Sequence, residues 1–301
     1  PRVLFLSHYD TVWQVGELPI EEKDNKLYGP GTFDMKAGLV SSIWAVSALM
    51  QEDMPIEPVF LFTADEELGS PSSRPVIEDV AKTCDAVFVM EAPVANTHAL
   101  KTERKGVGRY EIKAHGLRAH AGNHHEDGIN AINEIAKIVV KLEKLTDYSL
   151  GTTLNVGFIQ GGGAINVVPD YAEIAVDVRV KTMAEAERIQ AFFDQLKPED
   201  ERVKLEISGG LNRPPLENNE ANQRLFAFAK QAGEKLNLDV KAAAVGGGSD
   251  GNFTSALGIP TIDGLGIPGD GAHARHEHIL LDHVVDKCAL TAEICVELAK
   301  A

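Results

Sequence analysis

The 301-residue chain is 44% hydrophobic, 25% charged and 6% aromatic, a make-up that excludes disordered, collagen-like and low-complexity classes. At roughly 100–200 residues per domain, this length gives one large domain or two modest ones, with enough chain to bury a core unaided. Twenty-nine Lys and Arg against 45 Asp and Glu leave a net charge of −16, which excludes the basic footprint that nucleic acid or an anionic membrane requires and suits cation binding where carboxylates converge.

In chain order, residues 2–6 form a short apolar strand, and residues 37–51 (AGLVSSIWAVSALMQ) carry apolar side chains at helical spacing. Residues 58–63 (PVFLFT) read as a strand, 73–82 as a helix with Pro75 in its first turn, and 86–90 (AVFVM) as a buried strand. This alternation predicts an α/β domain with a mostly parallel sheet. From about Lys105 the rhythm changes. Strands over 106–115, 152–160, 171–180 and 202–208 and helices over 128–145 and 184–196 give the order βαββαβ, which fits an inserted ferredoxin-like unit. A helix over 220–236, strands over 240–244 and 260–262, and a closing helix over 278–299 resume the first pattern. The boundaries expected are 1–104 with 214–301 for one domain and 105–213 for the other. Glycine-rich stretches at 161–163 and 209–215 read as loops or boundaries.

Three cysteines cannot build a disulfide framework, and no apolar run reaches the 18 residues of a membrane span. The sequence opens on Pro1 rather than Met and enters a strand at once. A longer natural protein is therefore expected. The expected location is cytoplasmic, with a signal peptide upstream left open.

Polar residues cluster just after the apolar strands. Ser7-His8-Tyr9-Asp10 follows the first, Ala64-Asp65-Glu66-Glu67 follows 58–63, and Glu91 follows 86–90. Open parallel sheets form sites at the carboxyl ends of their strands, so these groups share one rim. His8 and Asp10, two apart on extended chain, point the same way; His8 could bind a metal with Asp10 orienting it. Asp34, where GTFDMKAG turns into a helix, is either an N-cap or a carboxylate bridging two metal ions. Glu66 and Glu67 are either a solvated acidic loop or a pair facing opposite ways, one ligating and one moving protons. His273, His276 and His278 offer one ligand among them, and the His124-His125 pair reads as exposed. Nitrogen and oxygen donors without thiolate suit zinc, cobalt or manganese. Neither a nucleophile elbow nor a phosphate loop is present, and none of the three cysteines has a reactive setting.

Taken together, SHYDTV at 7–12, GPGTFDMKAG at 29–38, TADEELG at 63–69, EAP at 91–93, GLRAHAG at 116–122, and 246–250 with 264–273 resemble the two-zinc metallopeptidases. That family includes glutamate carboxypeptidase, acetylornithine deacetylase, succinyl-diaminopimelate desuccinylase and the aminoacylases. The likeness runs through essentially the whole chain in family order and looks closest to glutamate carboxypeptidase. It implies two zinc ions, with cobalt or manganese as alternatives. His8 and Glu91 would hold one, Glu67 and His273 the other, and Asp34 would bridge them. Asp10 would support His8, and Glu66 would activate a metal-bridging water as general acid/base. His120 would stabilise the oxyanion from a lid domain, usually reaching the partner subunit's site, which implies a homodimer through the lid. Asn166 would contact substrate and Arg213 would grip its free carboxylate; the plain readings are a turn residue and a surface charge. Gly247 and Gly248 would line the substrate.

The activity implied is hydrolysis of an amide that releases a C-terminal amino acid, from a peptide or N-acyl amino acid. The alternatives are an N-acyl-amino-acid deacylase of the acetylornithine or desuccinylase type and, in another class, a noncatalytic metal- and peptide-binding protein on the same fold. One departure from the family is the absence of several dozen residues before the His8 strand. It predicts an uncovered flank of the sheet.

Overall fold

A computed structural model describes residues 1–301. The chain divides into two compact units, Pro1–Arg104 with Leu216–Ala301, and Lys105–Pro215. Pro214 and Pro215 thus fall with the second unit rather than the first.

The first unit is built on a six-stranded sheet in the order Ala242–Val245, Leu100–Arg104, Thr261–Asp263, Ala86–Val89, Arg2–His8, Glu57–Thr63. Every neighbouring pair is parallel except Leu100–Arg104 with Thr261–Asp263, which meet antiparallel at Lys101 and Asp263. The central strands are apolar on both faces because helices cover both. Val3, Phe5, Phe88 and Leu100 face one layer of core with Val46, Leu225 and Ile294. Leu4, Leu6, Val87 and Val89 face the other with Ile77 and Phe253. The outer strand Glu57–Thr63 is the sheet edge, and its Phe60 and Phe62 are 37% and 39% exposed.

Leu100–Arg104 is a strand that periodicity misses. Its sequence LKTER looks polar, yet Leu100, Thr102 and Arg104 are all buried. The closing segment also differs from expectation. It starts as a strand, His278–Leu280, passes through a 3-10 turn over Leu281–His283, and is α-helical only over Val284–Lys300. His278–Leu280 pairs with Lys26–Tyr28 in a small antiparallel sheet that also holds Gly269–Asp270 and Glu21–Lys23. This sheet brings the loop carrying His273 beside the turn carrying Asp34.

The second unit has four antiparallel strands in the order Lys204–Arg213, Gly106–His115, Tyr171–Val180, Thr153–Gly161. The expected strand over 202–208 begins later and runs five residues further. Helices Ala131–Glu143 and Met183–Gln195 start at Asn130 and Thr182, whose side chains accept from the N–H of Asn133 and Glu185. They pack Ile135, Ile138, Ile189 and Phe193 onto Ile112, Ile174 and Val178. No helix in the chain is long and apolar enough to cross a membrane.

Two close approaches set the rim. A Cβ on Gly38 would lie 1.9 Å from the Met90 carbonyl oxygen, and one on Gly266 would lie 2.6 Å from the same atom. Only glycine lets the helix Ala37–Gln51 and the Gly266 loop close on the end of the Ala86–Val89 strand. Gly38→Ala is therefore expected to cost about 1–3 kcal/mol through forced displacement of backbone, read as a lower urea midpoint of the metal-free protein. Lys287 is buried beneath this loop, and its Nζ donates to the Gly264 carbonyl at 3.5 Å. Burial pushes its ammonium down to about 8. A lowered lysine pKa in the folded state costs stability at and below pH 8, and the cost fades as pH rises toward 10.5. Lys287→Met should thus stabilise the fold at pH 7, by up to about 3 kcal/mol at 1.36 kcal/mol per pKa unit. That gain should shrink between pH 8 and 10 in denaturation series.

Candidate active site

His8 ends the Arg2–His8 strand, paired with Thr63 at the end of Glu57–Thr63. Glu91 follows Ala86–Val89, whose next residue Met90 donates its N–H to the Leu6 carbonyl. The carboxyl ends of three adjacent strands therefore deliver His8, Glu91 and, one turn later, Glu66 and Glu67. The Glu-Glu pair does not sit on extended chain as expected. Glu66–Leu68 is a short 3-10 turn closed by Gly69 in the left-handed region (φ 91°). Both carboxylates nonetheless reach the cluster, because the tight turn fans successive side chains apart.

Two groups of oxygen and nitrogen atoms result. His8, Glu66 and Glu91 have donor atoms within 4.8 Å of one another, and so do Asp34, Glu67 and His273. Asp34 lies between them. Its Oδ1 is 3.3 Å from His8 Nε2 and its Oδ2 is 3.3 Å from His273 Nε2. His8 Nε2 also lies 3.5 Å from Glu91 Oε1, and His273 Nε2 lies 3.1 Å from Glu67 Oε2. Asp34 does not cap the helix Ala37–Gln51; it lies inside the irregular turn Thr32–Lys36 that precedes it. Asp10 holds the other side of the first group. Its Oδ1 is 3.3 Å from His8 Nδ1, and its Oδ2 accepts from the Glu67 N–H at 3.0 Å.

The electrostatics are those of crowded carboxylates. Burial opposes a charge on His8, but Asp10, Asp34 and Glu91 overcome it and hold the ring far above its ordinary value. Burial likewise works against ionised Asp34, and His273 and His8 overcome it to keep the carboxyl well below the carboxylate range. Glu67 goes the other way, pushed up to about 7 by burial and then by Asp34. The Asp34 hydrogen bond, against some burial, draws His273 up to about 9. His8 is 1% exposed, and its Nε2 has no hydrogen-bond partner although it faces two carboxylate oxygens. An orphaned imidazole nitrogen ringed by carboxylates fits a cation that takes nitrogen and oxygen ligands.

Two residues outside the expected set shape this site. Arg104, 5% exposed, forks onto both oxygens of Asp263 at 2.8 Å and sits 3.6 Å from Glu91 Oε2. Its Nη1 also donates to the carbonyls of Gly247 and Gly248 at 3.1 and 3.0 Å, so these expected substrate glycines are tied to it through their backbone. Glu277, 2% exposed, accepts hydrogen bonds from the Gly31, Phe33 and Asp34 N–H groups and from the Trp13 indole. Its position four residues after His273 was the available signal. Of the neighbouring histidines, His276 is exposed, while His278 is buried against Tyr28 with Nδ1 2.8 Å from the His276 carbonyl oxygen. Neither joins the two groups.

The remaining expected residues lie in the second unit. His120 is on the two-residue strand Ala119–His120, which pairs with Val167–Val168, and the Ala121 N–H donates to the Asn166 carbonyl at 2.9 Å. The structure thus brings exposed His120 and exposed Asn166 together. His120 Nδ1 accepts from the N–H groups of Gly122 and Asn123, both at 3.1 Å. In the neutral ring the proton is therefore on Nε2. Arg213 closes Lys204–Arg213 and is 5% exposed, so it is not a free surface charge. His124 and His125 are exposed.

The profile of peptidase family M20/M25/M40 matches residues 4–297. Carboxypeptidase G2 of Pseudomonas sp. (strain RS-16) is 28% identical over 312 residues, covering 99% of this chain and 74% of that protein. Succinyl-diaminopimelate desuccinylase of Dechloromonas aromatica (strain RCB) is 26% identical over 323 residues, covering 100% and 84%. Among solved structures, aminopeptidase PepT from Bacillus cereus ATCC 10987 superposes with a TM-score of 0.79 at 24% identity, covering 99% of this chain and 81% of that one, which shows the shared fold. With a family match across nearly its whole length, the chain belongs to peptidase family M20/M25/M40 and is a hydrolytic enzyme.

Proposed function

We propose that the enzyme is a two-metal carboxypeptidase that hydrolyses the amide linking a C-terminal amino acid to an acyl group, with glutamate the leaving residue to test first. The observation that carries this reading is Asp34, each of whose oxygens faces a different imidazole in a different group of ligand atoms. His8, Glu91 and Asp34 would hold one metal, and Asp34, Glu67 and His273 the other. Zinc suits these donors, and cobalt or manganese suit them as well. A pair of such ions supplies Lewis acidity and a water of lowered pKa.

The protein residues do the rest. Asp10 fixes the His8 ring by accepting from Nδ1 at its backbone carbonyl, 3.1 Å away, with its carboxylate Oδ1 at 3.3 Å, leaving Nε2 for ligation. Glu66, beside His8 and Glu91, takes a proton from the attacking water and delivers it to the leaving amine nitrogen. His120, with Nδ1 occupied, presents Nε2–H as a donor to the developing oxyanion. Asn166, Gly247 and Gly248 orient the substrate, and Arg213 pairs with its free carboxylate.

The second unit is read as a ferredoxin-like lid and dimerisation domain. In its own chain order its strands run 4-1-3-2, with both helices packed on the sheet. Its edge strand Thr153–Gly161 exposes Phe158 and Ile159, a surface suited to covering by a second copy. A second reading, an N-acyl-amino-acid deacylase, is favoured by the similarity of this whole chain to 84% of a succinyl-diaminopimelate desuccinylase.

The test is release of amino acid from N-acyl-glutamate, folate-type, dipeptide, N-acetylornithine and N-succinyl-diaminopimelate substrates, with added zinc and with chelator. Zinc-dependent release of glutamate supports the carboxypeptidase. Turnover confined to the last two assigns the deacylase. Two bound metals with no turnover on any of them overturn both. Glu66→Gln should lower kcat by roughly 10²–10⁴-fold while two metal equivalents stay bound. His120→Ala should lower kcat by roughly 10²–10³-fold, also with metal content unchanged.

A further inference from the structure

The Asp34 turn is irregular: the Thr32 and Lys36 N–H groups reach the Gly29 and Gly31 carbonyls, whereas those of Phe33 and Asp34 are met from outside the turn. Residues Thr32–Lys36 include non-helical dihedrals at Asp34 and Met35, and Gly31 before them is left-handed at φ 71°. Such a turn places a carboxylate accurately only if something outside it satisfies its amides. Glu277 does so. Its Oε1 accepts from Phe33 N–H at 3.1 Å and Asp34 N–H at 3.0 Å. Its Oε2 accepts from Gly31 N–H at 3.0 Å and Trp13 Nε1–H at 2.9 Å. Four N–H groups thus converge on one buried carboxylate. The Glu277 carbonyl also accepts from Gly29 N–H at 3.3 Å, so the same residue grips the approach to the turn as well as its middle.

We propose that Glu277 is the positioning residue of the metal centre: a latch that sets the Asp34 carboxylate between the two ligand groups before any metal arrives, and ties the Trp13 segment to the same point. This rests on the reading of Asp34 as a bridging ligand. The chemistry requires a carboxylate. A glutamine of the same shape keeps one acceptor oxygen and turns an N–H₂ toward N–H groups, so two of the four bonds are lost and two donors face each other.

The experiment has two arms. In the first, metal-free protein is loaded with zinc against a competing chelator, comparing wild type, Glu277→Gln, Trp13→Phe and Asp34→Asn, with folding checked by circular dichroism. Glu277→Gln is expected to weaken binding of at least one zinc by roughly 10- to 100-fold, the range for partners that orient metal ligands. Trp13→Phe, which removes one donor and leaves the turn amides paired, should change it less than about threefold. Wild-type affinity in a folded Glu277→Gln protein, alongside weakened binding in Asp34→Asn, overturns the latch alone. Unchanged affinity in Asp34→Asn overturns the bridging reading and the latch with it.

The second arm needs no variant. Amide hydrogen exchange of metal-free wild type should show Phe33 and Asp34 protected well beyond Thr11 and Val12 in the neighbouring loop. Exchange of Phe33 and Asp34 as fast as that loop overturns a latch that precedes the metal, whether or not Glu277→Gln folds.

Discussion

Crowding of like charge at one rim of the sheet governs this molecule. Asp10, Asp34, Glu66, Glu67 and Glu91 meet around two imidazoles. Two carboxylates about 4 Å apart repel by roughly 4 kcal/mol at the effective dielectric of a protein surface. The strain shows in Glu67, held up near 7 by burial and Asp34, and in both imidazoles, drawn upward to carry protons. A cation bound among these groups would compete with protons on the two imidazoles, which would link its affinity to pH. The excess of 45 acidic over 29 basic residues has part of its explanation here.

One cation of the protein is built into that rim. Arg104 is buried, so its charge needs a partner of matching geometry, and the planar fork onto Asp263 provides it. Its remaining nitrogen, Nη1, donates to the Gly247 and Gly248 carbonyls, and Nη2 of the fork also approaches Oε2 of Glu91. A single guanidinium thus fixes a glycine loop relative to a ligand-bearing strand end. Lysine could not do this, having a point charge rather than a fork. Ser249 adds a hydrogen bond to Asp263 at 2.6 Å, and Asp250 accepts from Ser70 and Thr63, so the loop is pinned from several sides.

Apolar spacing made two of the three longest helices readable from end to end. Residues 37–51 and 220–236 carry their pattern from end to end, and the helices are Ala37–Gln51 and Glu220–Leu236. The central parallel strands were legible as unbroken apolar runs because both their faces are covered. Leu100–Arg104 was not, since its buried arginine and threonine disguise a core strand. The segment from His278 was misread as helix because Ile279 and Leu280 continue the apolar pattern of Val284–Lys300. Only the pairing of His278–Leu280 with Lys26–Tyr28, a contact about 250 residues apart in sequence, shows it to be extended. The site was legible where side chains follow strand ends, as at His8, Glu67 and Glu91. Glu277 escaped notice because its partners are backbone amides, which leave no mark in a sequence.

The two groups of ligand atoms are supported by different means. His8 and Glu91 project from the ends of central strands whose register is fixed by ladders on both sides. Asp34, Glu67 and His273 project from turns, and His273 itself has a left-handed backbone at φ 61°. A sheet supplies precision through repeated pairing, whereas a turn has to borrow it from side chains. Asp10 lends it to Glu67 through one amide, and Glu277 lends it to Asp34 through three turn amides. Because Glu277 and His273 belong to one short segment, the fold that places His273 also places Asp34. The more exposed of the two groups is thereby assembled as a unit, although none of its three candidate ligand residues lies in a long strand or helix.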